Sequence, residues 1–93
     1  MSCKVDVDTA VKTDILDCGP VARRQIGKFL LELQDNPLPK NRREMDRSAF
    51  YYRLRCGYYV VWEVLGDLMK LALTGDTKQI AVRILGVGRE PPE

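Results

Sequence analysis

The sequence predicts an α+β fold, in which a small antiparallel sheet of about four strands carries an N-terminal helical hairpin on one face. Between Ala22 and Leu33 the apolar residues recur with helical spacing, which gives a stripe wide enough to cover a sheet. Residues 49–64 and 79–87 instead alternate between apolar and polar types or form β-branched and aromatic runs, as strands do. A chain of 93 residues has room for one core, so we expect a single domain over residues 1–93.

The N-terminal third predicts one strand and the two helices of the hairpin. Residues 3–7 alternate between apolar and charged types, which indicates a short strand. Asp8 or Thr9 can then cap a helix of about two turns through a side-chain oxygen. Pro20 is tolerated at the start of a second helix. That helix should end just before Pro37, since the residue preceding a proline is disfavoured in the helical region.

The centre of the chain predicts a β-hairpin that turns at Cys56-Gly57, after a loop over residues 37–46. The first run should point Phe50, Tyr52, Leu54 and Cys56 towards the helices, and Tyr51, Arg53 and Arg55 towards an open face. The second run, over residues 58–64, is typical of a central strand. It places Trp62 in the core and Tyr59 on the open face. Residues 68–73 fit a helix or a strand equally well, and residues 79–87 predict the last strand.

Composition narrows the function classes. The chain has no histidine, which removes the Ser-His-Asp, Cys-His and histidine-containing metal sites. Its three cysteines have no CxxC spacing, which favours a reducing compartment over a disulfide framework. The sequence shows neither a membrane-spanning stretch nor the apolar core of a signal peptide. We therefore expect a cytoplasmic protein that needs no metal and no cofactor.

Positive charge is concentrated in one segment, although the formal net charge of the chain is only +2. Between residues 40 and 55 only Glu44 and Asp46 oppose the basic side chains, which are Lys40, Arg42, Arg43, Arg47, Arg53 and Arg55. Such a local field attracts polyanions, and arginines with tyrosines on an open sheet face suit phosphates and stacked bases. Two plainer interpretations stay open, namely a solvated basic segment and tyrosines that only pack at the sheet edge.

Three segments of the chain carry a family resemblance, namely VARRQIGKFLLEL at residues 21–33 with the exit NPLP, YRLRCGYYVVWEV at residues 52–64, and RILGVGR at residues 83–89. They resemble the RelE/ParE superfamily of toxins from bacterial type II toxin–antitoxin systems. They are similar to the family's second helix, its central hairpin and its last strand. The match leaves out residues 68–78, where this chain carries extra residues. The resemblance implies a RelE/ParE-like fold and a cognate antitoxin protein as partner.

The resemblance also implies roles for residues of the hairpin. RelE-like members cleave mRNA in the ribosomal A site without a metal, so cationic groups must hold the charge that develops when the 2′-hydroxyl attacks its phosphate. Arg53 stands where these members have a basic residue that assists the 2′-hydroxyl. Because arginine is a poor base, we assign it an electrostatic role. Arg55 could bind phosphate, and Tyr59 occupies the place of an arginine that stabilises the transition state.

Other positions depart from the family pattern. Arg89 matches the family's Val-Gly-x-Arg region, although Glu90 stands nearest to the usual arginine. Tyr51 stands where some members have a lysine, and the C-terminal aromatic residue of cleaving members is missing. The sequence therefore predicts catalytic roles for Arg53, Arg55, Tyr59 and Arg89. It predicts nucleic-acid binding by Lys40, Arg42, Arg43, Arg47 and Tyr51.

The resemblance leaves three functions open. The first is an mRNA endoribonuclease that acts on the ribosome, or a weakened relative of one. The second is a ParE-like toxin that inhibits DNA gyrase without any catalysis, which fits the modest charge and the missing catalytic positions. The third is an inactive remnant that retains only antitoxin binding.

Overall fold

A computed structural model describes residues 3–45 and 48–91 of the chain. In chain order the elements are β1 (Lys4–Val7), α1 (Thr9–Leu16), α2 (Pro20–Asp35), β2 (Arg43–Glu44), β3 (Ala49–Arg53), β4 (Tyr59–Leu65), α3 (Leu68–Thr74) and β5 (Ala81–Gly88). Asp8 caps α1, because its Oδ1 accepts a hydrogen bond from the Val11 amide at 2.9 Å. Pro20 opens α2 as predicted.

The five strands form one sheet in the order β1-β5-β4-β3-β2. The predicted α+β class is confirmed, but the sheet has five strands instead of about four, and it is mixed. The first strand runs parallel to the last one, with Val5 opposite Val82, whereas all other neighbours are antiparallel. Alternation along a strand is the same in either direction, so the pattern of residues 3–7 could not reveal this pairing.

The core lies between the sheet and the two N-terminal helices. The apolar stripe of α2 contributes Ile26 and Leu33, both fully buried. Trp62 on β4 is fully buried as predicted, and its Nε1 donates a hydrogen bond to the Pro37 carbonyl at 3.1 Å. The Phe29 ring of α2 meets Trp62 edge-on, with centroids 5.4 Å apart. The residues that alternate with these on the opposite face of the sheet, such as Arg53, Tyr59 and Arg83, are exposed or half-buried, so that face is open.

Two segments differ from what the sequence predicted, and a third resolves an assignment that the sequence left open. The predicted loop over residues 37–46 contains β2, a two-residue strand paired with β3. The ambiguous residues 68–73 belong to α3, which Asp67 caps through a hydrogen bond from the Lys70 amide. The turn of the hairpin lies where predicted, but β3 ends at Arg53. The strand therefore ends before Arg55, because the amide of Gly57 donates a hydrogen bond to the Leu54 carbonyl at 2.9 Å to form the turn. Leu54 and Cys56 still pack on the helix side as predicted.

None of the helices in the described part of the chain is long and apolar enough to cross a membrane.

Candidate nucleic-acid interface on the open sheet face

Two rows of side chains cross the open face of the sheet. The first row consists of Arg43, Tyr51, Val61 and Gly86, which are paired in register across β2, β3, β4 and β5. The second row consists of Arg53, Tyr59 and Gly88, paired across β3, β4 and β5. Directly paired residues point to the same face, so each row runs from an arginine, over a tyrosine, to a glycine.

The two tyrosines form the centre of this surface. Their ring centroids lie 6.0 Å apart with an angle of 49° between the planes, and both side chains are half-buried. Flat aromatic surfaces of this kind are what unpaired bases stack on. Tyr51 and Tyr59 thus lie together, as the sequence predicted from their alternation.

Within the described residues, the arginines of the two rows carry the unpaired positive charge of the open face. Arg43 and Arg53 are both exposed, and neither forms an ion pair within residues 3–45 and 48–91. At the other end of the same face, Arg83 forms an ion pair with Glu63. Its neighbour in register on β1 is Asp6, which is paired with Lys4 at 3.6 Å. Charge is balanced there, so an anion is attracted to the two rows instead.

Arg55 does not belong to this surface. It lies in the turn after β3 and lines a groove of about 470 Å³ on the helix side, together with Gln25 and Lys28 of α2. The expectation that Arg55 continues the face of Arg53 is wrong for a geometric reason, since the chain leaves the strand at residue 53. The turn is fastened to α2 by a hydrogen bond from the Cys56 amide to Gln25 Oε1 at 3.0 Å.

Arg89 is also separated from the two rows. Its guanidinium carbon lies 5.2 Å from the centroid of the Tyr58 ring, a cation–π contact next to the start of α2. Cys18 lines the same hollow, and burial raises the pKa of its thiol, which keeps it protonated at neutral pH. The four residues predicted as catalytic therefore lie in three places, and only Arg53 and Tyr59 are neighbours.

The basic loop divides in a similar way. Lys40 is exposed, and Arg43 belongs to the first row. Arg42 turns to the helix side, where its Nη1 donates hydrogen bonds to the carbonyls of Leu38 and Pro39 and its guanidinium lies 5.5 Å from the Phe50 ring centroid. Arg47 lies outside the described residues. Of the predicted loop contacts, Arg42 is thus engaged in holding the chain at the exit of α2.

The two glycines that end the rows are not among the site residues that the sequence predicted. Gly86 and Gly88 interrupt a strand of β-branched and leucine residues at alternating positions, and this spacing was visible in the sequence. In the described part of the chain, no group of three or more acidic or cysteine side chains could hold a metal ion.

Solved structures of RelE toxins share this fold. The isolated RelE toxin of E. coli has a TM-score of 0.70 and 21% identity, over 99% of this chain and 88% of that one. The intact RelBE toxin–antitoxin complex of E. coli has a TM-score of 0.70 and 20% identity, over 98% of this chain and 100% of that one. The RelBE2 complex of Mycobacterium tuberculosis has a TM-score of 0.69 and 18% identity, over 97% and 100%.

No protein-family profile and no curated protein matches the chain. The similarity to the solved structures nevertheless confirms the RelE-like fold that the three sequence segments implied.

Proposed function

We propose that this chain is the toxin of a type II toxin–antitoxin system and that it cleaves mRNA on the ribosome. The observation that carries the proposal is the pair of arginine–tyrosine rows on the open face of a RelE-like fold. Single-stranded RNA presents phosphates and unpaired bases. Exposed arginines bind the phosphates, and the adjacent aromatic rings provide surfaces on which the bases stack.

The proposed chemistry is an attack of the RNA 2′-hydroxyl on the neighbouring phosphorus. The bond to the 5′-oxygen breaks, the 2′-oxygen loses its proton, and the 5′-oxygen gains one, which leaves a 2′,3′-cyclic phosphate and a free 5′-hydroxyl. Negative charge grows on the phosphate oxygens in the transition state, where a fixed cation stabilises it. Arg53 is suited to this role, and the Tyr59 phenol beside it in register can donate a hydrogen bond to the same phosphate.

The proposal includes a cognate antitoxin as partner. RelE chains of E. coli and M. tuberculosis have been solved as toxin–antitoxin complexes, and the archaeal RelE–RelB complex of Pyrococcus horikoshii has the same fold at a TM-score of 0.64. An acidic antitoxin segment would complement the unbalanced positive charge of the two rows or enter the groove beside α2. Co-expression with the protein from the adjacent reading frame should yield a complex that co-purifies. If no neighbouring protein binds at micromolar concentration, the partner assignment fails.

The enzymatic part is tested by expression of the toxin alone, followed by primer extension on a translated message. We expect growth arrest and cleavage of the message. Arg53→Ala should lower the cleavage rate by about 10² or more, since it removes one preorganised charge donor. Arg24→Ala is the matched control, because it removes an exposed arginine from α2 on the other side of the molecule. Growth arrest with intact mRNA and induced DNA damage would instead identify a gyrase-directed toxin, and a harmless wild-type protein would identify an inactive remnant.

A further inference from the structure

The backbone conformation and the surroundings of Gly86 and Gly88 in the last strand do not require glycine at either position. Gly86 and Gly88 lie in β5, where β-branched and other apolar residues occupy most of the remaining positions. A glycine inside a strand weakens it, because it loses more conformational freedom and offers no side chain to pack. Neither residue has a positive φ angle. A Cβ atom added at either position would meet no atom within 4 Å.

The local irregularity of the sheet does not explain both glycines. A shift in register between Val61 and Trp62 of β4 places Leu85 as an extra residue on β5, directly before Gly86. Bulges of this kind demand glycine when the backbone adopts a positive φ, which is not the case at Gly86. Gly88 is regularly paired with Tyr59, beyond the shift. A second cause of strand glycines is the close approach of a ligand or of another chain to the backbone.

The position of the two glycines on the open face indicates which kind of ligand approaches the backbone of β5. Each one ends a row that begins with an exposed arginine and passes over a tyrosine ring. Two strand spacings separate Gly88 from Arg53, which is about 10 Å, so a single nucleotide can reach across a row. The missing side chains leave the sheet backbone bare beside Tyr59. The surface is therefore cationic on one side, aromatic in the middle and recessed on the other side.

We propose that Gly86 and Gly88 form a close-approach subsite for the backbone of single-stranded RNA. One ribose–phosphate unit rests against the bare main chain of β5, the adjacent base stacks on Tyr51 or Tyr59, and the next phosphate meets Arg43 or Arg53. This inference rests on the proposed RNA-cleaving function and adds a specific path for the substrate over the sheet.

RNA fits this surface better than an extended peptide. A peptide that adds to a sheet needs free backbone groups at an edge. β5 has such an edge beyond Ile84, where its pairing with β1 ends, but the arginines and tyrosines of the two rows lie on the face of the sheet, on the strands beyond β5. The surface supplies aromatic rings and guanidinium groups instead, which recognise bases and phosphates. An antitoxin peptide over the glycines is thus the competing outcome of the test.

The test replaces each glycine by a residue that the strand should accept. Gly86→Val and Gly88→Val add a β-branched side chain in open space, so both variants should unfold at the same urea concentration as the wild type or at a higher one. Ala81→Val is the matched control, since Ala81 lies on the same strand and the same face, beside Leu65 at the other end. The binding probe is a short fluorescent oligouridylate, measured by anisotropy.

We expect the Kd for the oligouridylate to rise by about tenfold or more in Gly86→Val and Gly88→Val, and to stay within about twofold in Ala81→Val. Three results would overturn the inference: equal affinity in all variants, unfolding of the glycine variants, or no binding by the wild type. Loss of antitoxin binding with unchanged RNA affinity would assign the subsite to the peptide. Translation-dependent cleavage is measured separately. Its absence in a wild type that still binds the oligouridylate would reject the proposed function and leave the subsite standing.

Discussion

Arg42 and Arg43 are adjacent in the chain, yet their side chains lie on opposite sides of the sheet. Arg42 donates hydrogen bonds at 3.3 and 3.1 Å to the carbonyls of Leu38 and Pro39 and covers the Phe50 ring. Arg43 is exposed next to Tyr51 on the open face. The sequence predicted nucleic-acid binding by both residues. In the structure the Arg43 side chain is exposed, whereas the Arg42 guanidinium is engaged by the protein itself.

This pair leads to a prediction with an internal control. Arg42→Ala should lower the free energy of unfolding by about 1–2 kcal/mol, because two hydrogen bonds and a cation–π contact are lost. It should leave the salt dependence of RNA binding unchanged. Arg43→Ala should change the stability by less than about 0.5 kcal/mol and reduce the slope of log K against log salt by about one. Urea unfolding and anisotropy titrations at several salt concentrations measure both quantities. The reverse pattern would show that Arg42 contacts phosphate.

At the level of single residues, the sequence was informative where alternation decides the environment. Trp62 in the core and Tyr51 with Tyr59 on the open face followed from a period of two. Arg55 and Arg89 could not be placed in this way. Each follows a strand end, where the side chain is directed by a turn or by a nearby ring and not by the pleat.

Among the elements, the junction between β4 and α3 depends on one glycine. Gly66 has a φ of 129°, and a Cβ there would lie 2.8 Å from the Gln79 carbonyl oxygen and 2.8 Å from Ile80 Cδ1. Gly66→Ala should therefore cost at least about 2 kcal/mol of stability, since backbone strain and a clash with fixed main chain act together. Thermal and urea unfolding would measure the loss. A loss below about 0.5 kcal/mol would mean that the junction can rearrange.

The matched substitution lies in the middle of α2. A Cβ at Gly27 meets no atom within 4 Å, and the residue is exposed in a regular helix. Gly27→Ala should raise the free energy of unfolding by about 0.5–1 kcal/mol, because alanine loses less conformational entropy than glycine. If both alanine variants destabilise the protein equally, the effect at Gly66 does not arise from its special backbone conformation.

Elements in which the hydrophobic pattern persists over several repeats were predicted well, whereas short elements and elements that depend on a partner strand were not. The 16-residue α2 and the strands β3 and β4 carry enough repeats for the pattern to be decisive. The two-residue β2 has no pattern of its own and exists because β3 offers it a partner. For α3, seven residues allowed either assignment, and the Asp67 cap with Gly75 at the left-handed C-terminal position marks it as a helix.

On the scale of the whole molecule, stability and the proposed function are assigned to opposite sides of the sheet. The helix side contains the fully buried side chains Ile26, Leu33 and Trp62. The open side carries the arginine–tyrosine rows, which make little contribution to the core. Substitutions in the rows should therefore alter RNA binding in a protein that stays folded, which makes the proposed site accessible to mutational tests.

The two ends of the chain meet in the sheet, and this contact was the least predictable part of the fold. β1 and β5 are separated by nearly the whole sequence, so no turn fixes their relative direction. β1 is also held by α2, since the Cys3 amide donates a hydrogen bond to the Gln34 carbonyl at 2.8 Å. The first strand thus protects an edge of β5 that would otherwise be exposed.

A substitution in β1 tests how far the molecule depends on this parallel contact. Val5 faces the helix side, packs against the core and pairs with Val82. Val5→Asp places a charge there, so it should lower the free energy of unfolding by about 1–3 kcal/mol and accelerate amide exchange in both β1 and β5. Lys4→Gln is the control, because Lys4 is exposed and its ion pair with Asp6 contributes little. If exchange rises only in β1, then β5 is held by β4 alone and the parallel contact is not part of the cooperative core.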